Sequence, residues 1–466
     1  MKLLAMTVAC LSIISTSLAK EARPNIIFIF ADDWGWEDLS CHDHPYIKTP
    51  NIDRLAKEGA DFKRFTVASP VCSPSRTAVM TGHFPSRYLI DGHFAWVPSN
   101  EKRGMPDWVD PKFPSLPRML QNSGYMTAHY GKWHLCNDMI PDGPSLTEYG
   151  YDDFGAFNWS GEQMVYDHDV KRSIAFIETA KKAEKPFFIN LWIHEPHTPF
   201  HVLPKYRQQF PELTDEGDNI YAATLAYADE RIGMLLDYLD DNNLTENTMV
   251  IFSSDNGPAR NSKGKEPELI YDTATGAGFD TGASKGTTGG RKGYKGSLNE
   301  GGLNVPFLVR WPARIKPGGV DDQTLISAVD LLPTFCAITD TSMPEGYKPD
   351  GINYTQALLG TPVPKRETPL FSRYTRGGSP DHWATTTAVS GSYKYLTNKA
   401  LGRKELYDLA TDPLEKNDLA KEKPKVIASI EKEIEGWLSS LPKEPTGDVF
   451  SALRGQPAEE KTKKAK

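Results

Sequence analysis

The strongest constraint on this chain is the segment Pro24-Asn25-Ile26-Ile27-Phe28-Ile29-Phe30, which ends abruptly in Ala31-Asp32-Asp33. Unbroken apolar character, without the alternation of a half-wetted strand, predicts a strand buried on both faces with polar residues at its carboxyl end. Phe187–Ile193, Met249–Phe252 and Pro306–Arg310 repeat the pattern, and a long helix is expected near Asn219–Asp241 between the first two of these. Strands alternating with helices predict an α/β sheet covered on both sides. Thr49-Pro50 opens a helix: Thr49 can cap it, Pro50 suits the first turn, Ile52, Leu55 and Ala56 follow helical spacing, and Gly59 fits the stop.

At 466 residues the chain exceeds the size at which one core stops growing, so a large domain over residues 20–360 and a smaller one over 361–455 are expected. Short segments at Pro369–Arg373, Ala384–Ser390, Tyr393–Thr397 and Glu405–Leu409, with a helix over Val426–Leu441, predict that the smaller part is an antiparallel sheet plus helix. Residues 257–293, rich in Gly, Thr and Lys, read as a long loop, and 456–466 as a disordered tail. Residues 1–19 have the form of a signal peptide: one Lys, an apolar stretch from Leu3 to Ile14, and the small-residue site Ser17-Leu18-Ala19. Export is therefore expected, to the periplasm or the medium, and no later segment is long and apolar enough to span a membrane.

The balance of 61 acidic against 53 basic residues disfavours a nucleic-acid partner, and an anionic substrate would have to be drawn by a local cluster of cations. After the leader, Cys41, Cys72, Cys136 and Cys336 remain, too few for a disulfide framework at this length.

Asp32-Asp33 at one strand end and Asp255-Asn256 at another would bring three carboxylates and an amide oxygen together if the strands are neighbours. Hard oxygen donors of this kind suit Ca²⁺, with Mg²⁺ as the alternative, better than zinc. Taken alone, each motif reads more readily as turn or capping residues. Cys72-Ser73-Pro74-Ser75-Arg76-Thr77 precedes a helix start, with Pro74 in the first turn and Gly82 near the end, so the free N–H groups and dipole favour an anion beside Cys72.

Cys72-Ser73-Pro74-Ser75-Arg76, with the later Thr81-Gly82, resembles the modification signature of the formylglycine-dependent sulfatases of the alkaline-phosphatase superfamily. Gly131-Lys132-Trp133-His134, Pro196-His197-Thr198-Pro199, Lys295-Gly296 with Glu300-Gly301-Gly302, and the closing Leu406-Tyr407-Asp408-Leu409 resemble further motifs of that family, in family order over essentially the whole mature chain. The resemblance implies a large alkaline-phosphatase-like mixed sheet sandwiched by helices, with a smaller C-terminal antiparallel sheet plus helix. It implies that Cys72 becomes formylglycine through a separate formylglycine-generating enzyme, and that Asp32, Asp33, Asp255, Asn256 and the modified Cys72 hold Ca²⁺. Arg76 would orient the formylglycine, Lys132 and Lys295 bind the sulfate oxygens, His134 manage the hydrate hydroxyls, and His197 protonate the leaving oxygen, with Lys295 sharing that role. A thiolate would leave a trapped S-sulfo adduct, whereas a hydrated aldehyde has one hydroxyl to attack and another to expel sulfate, which completes a cycle.

His93, Arg291, Arg373 and His382 are candidate contacts to a sulfated sugar, together with Asp91, Trp96, His194, His201, Arg376 and Trp383; each singly reads equally as surface or structure. Asp167, His168 and Asp169 read as a helix start rather than a second metal site. The expected activity is hydrolysis of a sulfate ester on a polysaccharide or a derived oligosaccharide. The alternatives are a phosphodiesterase or phosphonate monoester hydrolase of the same superfamily, and a catalytically dead sulfated-glycan binding protein. The sugar, the linkage and the oligomeric state are left open.

Overall fold

The computed structural model describes residues 23–456 except 262, 364 and 376–381. The expected leader, residues 457–466 of the expected tail, and Arg376 lie outside them. The principal sheet has eight strands: β1 (Asn25–Ala31), β2 (Ala60–Phe62), β3 (Met126–Lys132), β4 (Asp153–Phe157), β5 (Phe187–Trp192), β6 (Thr248–Ser254), β7 (Phe307–Arg310) and β8 (Gly319–Asp321). Their order is β8-β2-β7-β6-β1-β5-β3-β4, with β6, β1, β5, β3 and β4 mutually parallel and β7 antiparallel to both its neighbours. The sheet is mixed, as expected.

The unbroken apolar run of β1 follows from its central place. Ile26, Phe28 and Phe30 enter the core on one face, while Ile27, Ile29 and Ala31 enter the core on the other. Each fully buried Ile or Phe side chain contributes about 1.5–3 kcal/mol. One face is covered by α1 (Pro50–Glu58), α3 (Asp169–Lys182) and α4 (Glu216–Asp241), the other by α2 (Cys72–Thr81) and α5 (Leu331–Ile338). Asp167 and His168 form a short turn leading into α3, as read from the sequence.

Two local expectations change. The Thr49 hydroxyl donates to Asp53 rather than capping α1; the N–H groups of Asn51 and Ile52 are met instead by Asp229 of α4, at 3.1 and 2.8 Å. Gly59 follows the last turn of the helix, and what requires glycine is the backbone carbonyl of Val309, 2.1 Å from where a Cβ would stand. Within the expected loop 257–293, Leu269–Asp272 and Gly276–Phe279 pair as a ribbon, its turn fixed by Asp272, which accepts from the N–H groups of Ala274 and Thr275.

The C-terminal strands β9 (Leu370–Arg373), β10 (Thr386–Ser390), β11 (Tyr393–Asn398) and β12 (Arg403–Asp408) form an antiparallel sheet in chain order, followed by α6 (Pro424–Ser440). Tyr395, Leu396, Leu406, Ile430 and Trp437 join the core that contains α2, so this sheet is fused to the larger layer. Among the described residues no helix is long and apolar enough to cross a membrane, and the four cysteines are free.

Candidate active site

Four adjacent parallel strands end at one place. Asp255 and Asn256 follow β6, Asp32 and Asp33 follow β1, His194 and His197 follow β5, and Lys132 closes β3 with His134 two residues on. The first residue of α2, Cys72, points into the same space. Helix α2 is buried along its whole length despite five hydroxyl and guanidinium side chains. It tolerates this because Ser75, Thr77 and Thr81 donate to the carbonyls of Ser69, Ser73 and Thr77, and Ser73 accepts from the Phe94 N–H. Gly82 ends it in the left-handed region at φ 65°.

The floor is a charged cluster withdrawn from water. Arg76 donates from Nε and Nη2 to Asp255 Oδ2 at 3.0 and 2.7 Å and from Nη1 to the Lys132 carbonyl at 3.1 Å, and its guanidinium lies 5.0 Å over Trp192. Lys132 Nζ is ion-paired with Asp32 and stands 3.5 Å from Cys72 Sγ, which is 3.7 Å from Asp32 Oδ1. Lys295 reaches Asp33 Oδ1 at 2.6 Å, and His197 Nε2 is 3.9 Å from Asp33 Oδ2. Asp32, Asp255 and Arg76 are fully buried, whereas the side chains of Lys295 and His197 are each 24% exposed, so these two stand at the mouth.

Burial works against ionised Asp32, but the charged Lys132, Arg76 and Lys295 around it hold its carboxyl well below the usual range. Burial and the neighbouring Asp32 push Asp255 up to about 6 against the pull of Arg76. Burial lifts the Cys72 thiol to about 12, although Lys132 and Lys295 oppose it, so the unmodified side chain is a poor nucleophile at neutral pH. Burial keeps His134 and His197 neutral. His197 Nδ1 is committed to the Thr198 carbonyl at 2.6 Å, which leaves Nε2 turned to the site, and His134 donates from Nε2 to the Phe94 carbonyl at 3.0 Å. Asp33 at φ 69° and His134 at φ 51° hold left-handed backbone that side chains rarely adopt, a cost tolerated where geometry matters.

Two orphaned acceptors bear on the missing groups. Asn256 donates from Nδ2 to Asp33 Oδ1 at 2.7 Å, but its Oδ1 is buried without a partner, beside three buried carboxylates. This all-oxygen donor set fits a hard divalent cation. His197 Nε2 also comes within 4.8 Å of ligand atoms of Asp32, Asp33 and Cys72, a grouping the sequence did not indicate. His134 Nδ1 is likewise buried without a partner, an acceptor suited to a hydroxyl at position 72.

All six expected catalytic positions and all five expected metal ligands converge here. Of the sugar candidates, the His93 ring is 6.2 Å from that of His134, Arg373 Nη1 lies 3.2 Å from Asp91 at the other end of the same loop, and His382 sits over Gly296, beside Lys295. Arg291 instead stacks on Trp36 with its guanidinium 3.6 Å from the ring centre. Glu195 and Arg231, which no sequence motif marked, are joined by a buried ion pair behind His197.

Residues 24–341 match the Sulfatase family, and residues 293–443 match N-sulphoglucosamine sulphohydrolase, C-terminal. The chain is 27% identical to an N-acetylgalactosamine-6-O-sulfatase of Bacteroides thetaiotaomicron, over 89% of this chain and 93% of that protein. It is 30% identical to the N-acetylgalactosamine-6-sulfatase of Canis lupus familiaris, over 80% of this chain and 71% of that protein. In structure it superposes on Ps i-CgsB, crystallised in complex with k-i-k-neocarrahexaose, with a TM-score of 0.77 and 26% identity, covering 95% of this chain and 99% of that one. The chain belongs to the sulfatase family of the alkaline-phosphatase-like superfamily, and it is a sulfuric ester hydrolase.

Proposed function

We propose that this enzyme removes sulfate from a sulfated polysaccharide or an oligosaccharide derived from one, with Cys72 converted to formylglycine and Ca²⁺ held by Asp32, Asp33, Asp255, Asn256 and the modified residue. The observation that carries the reading is the placement of Cys72 at a helix start between Lys132 and a carboxylate cluster that two lysines and an arginine neutralise. The N-acetylgalactosamine sulfatase names of the relatives, and the neocarrahexaose bound to Ps i-CgsB, support a sulfated sugar as substrate. The leader over residues 1–19 supports action outside the cytoplasm.

A bound divalent cation supplies positive charge at the sulfate oxygens and lowers the pKa of the attacking hydroxyl. The protein side of the reaction follows from position. Lys132 and Lys295 flank the point where sulfate would meet residue 72 and offset charge that builds on its oxygens. Arg76 fixes Asp255 and the end of β3, so these groups need not reorganise during the reaction. His134 Nδ1 is free to take a proton from a hydroxyl of the modified Cys72. His197 Nε2 stands at the mouth, where the bridging oxygen of a bound ester must leave and needs a proton; because Nδ1–H is held by the Thr198 carbonyl, Nε2 acts as acid only in the cationic ring, with Lys295 beside it sharing the role.

The test is intact-peptide mass spectrometry of protein co-expressed with a formylglycine-generating enzyme, followed by chromatographic detection of sulfate from a panel of sulfated sugars. Conversion at Cys72 with sulfate release is expected, and Cys72→Ala should release none while keeping the wild-type fold. Conversion without sulfate release, but with phosphate release from a diester, would replace the reading with a phosphodiesterase. Binding of sulfated glycan without turnover would make the protein a lectin-like relative.

A further inference from the structure

The loop that carries His197 is anchored from beneath by a buried charged cluster. Glu195 is 1% exposed; its carbonyl accepts from the Asp32 N–H at 3.3 Å, and its Oε2 accepts from Arg231 Nη2 at 2.9 Å. Arg231 comes from α4, and the same Nη2 donates to Asp169 Oδ2 at 3.2 Å, at the start of α3. Tyr227, one turn earlier in α4, lies 4.6 Å from the guanidinium. Burying three charges is a poor route to stability, because desolvation can exceed the attraction gained. Location supplies another reason for the cluster. Glu195 stands two residues before His197, and its own carbonyl is tied to the strand end that bears Asp32. The hydrogen bonds of His197 itself, from its N–H to the His194 carbonyl and from Nδ1 to the Thr198 carbonyl, stay inside the loop; Nε2 is 3.9 Å from Asp33, and Thr198 and Phe200 tie the far side of the loop to Phe279, so the near side is held to the sheet through Glu195.

We propose that Arg231, acting through Glu195, is a positioning residue for His197: it fixes the height of the loop over β1 and so places Nε2 at the bridging oxygen. The inference rests on the reading of His197 as the acid that serves the leaving group. It is tested on converted, Ca²⁺-loaded enzyme carrying Glu195→Gln, a shape-conserving change that leaves Arg231 paired with Asp169, and on Arg231→Lys. The kcat/KM is measured on 4-nitrophenyl sulfate, whose leaving group needs no proton, and on the sugar sulfate turned over fastest in the panel above. Glu195→Gln should lose on the order of 10- to 100-fold on the sugar sulfate, the effect of a misplaced acid, and about twofold or less on the aryl sulfate. Arg231→Lys should show the same preference. In the double variant with His197→Ala, Glu195→Gln should add about twofold or less to the loss already caused by His197→Ala. Equal losses on both substrates, or losses that multiply in the double variant, would show a general structural role and overturn the proposal. Equal losses in His197→Ala alone would overturn the acid assignment beneath it, and the proposal with it.

Discussion

Replacing Lys394 with methionine should destabilise the protein by about 3–5 kcal/mol, the cost of breaking a buried ion pair and leaving its partners uncompensated. Lys394 lies on β11, is fully buried, and donates to Glu300 Oε1 at 2.7 Å, with Glu415 Oε1 at 3.1 Å. Glu415 in turn accepts from the Glu300 N–H at 2.8 Å, so one lysine joins the C-terminal sheet to the turn that follows Lys295. Methionine fills the space of the stem but leaves two carboxylates facing each other. With an unfolding entropy of about 2.1 cal/mol/K per residue, a chain of about 430 ordered residues has roughly 0.9 kcal/mol/K, so the midpoint should fall by about 3–6 °C. The sign of the pH dependence is also fixed. Burial already pushes the Glu415 carboxyl above its usual value, with Lys394 opposing and Glu300 adding to the rise. Without the lysine the folded-state pKa climbs further, so the penalty is full above that raised pKa. It shrinks by about 1.4 kcal/mol per pH unit as the pH falls from that value to the folded value of wild type, itself above the ordinary 4.5, and is constant below it. Calorimetry of both proteins at pH 8 and pH 5.5 reads this directly. A variant that melts within about 1 °C of wild type at pH 8, or a gap independent of pH, would refute the argument.

Asp255→Asn keeps the side-chain shape but removes a buried charge from the proposed ligand set, so calcium content by elemental analysis should fall together with activity; undiminished metal would show that the ligands were misassigned. His197→Ala should lower turnover of sugar sulfates by about 10²–10⁴-fold and that of 4-nitrophenyl sulfate much less, and equal losses on both would remove His197 from the acid's role. His129 is fully buried among Trp133, Tyr151 and Trp192, and burial, helped by Arg76, lowers its pKa to about 3. Its neutral form therefore supports the fold fully above pH 6.5, and that support is lost at about 1.4 kcal/mol per unit as the pH falls from 6.5 towards 3. In urea titrations His129→Phe should lose about 2 kcal/mol less than wild type between pH 6.5 and pH 5, and an unchanged acid limb would count against a neutral His129.

What the sequence disclosed depended on whether each signal was local. β1, β5 and β6 were legible because strands buried on both faces cannot afford polar residues, and their polar ends marked the site. β3 escaped notice although it carries Lys132: its sequence, Met-Thr-Ala-His-Tyr-Gly-Lys, has no apolar run. Two of its polar groups find their partners on other segments, Thr127 in the Gly150 carbonyl and Asp152, and the Tyr130 hydroxyl in Asp153. The cap of α1 was misread for the same reason, since the carboxylate that serves it lies 178 residues away in Asp229. The ribbon at 269–279 did carry a local signal, because Asp272 followed by Thr275-Gly276 is a turn sequence; its exposed Leu269 and Tyr271 lack the alternation that would have flagged strands. Within the proposed site, Cys72, Arg76, Lys132, His134, His197 and Lys295 could be nominated because each sits in a short motif. Glu195 and Arg231 lie 36 residues apart on different elements and acquire meaning only when α4 packs behind the loop. Reactive groups are therefore visible in local sequence, while the residues that hold them in place become visible only once packing has brought distant segments together.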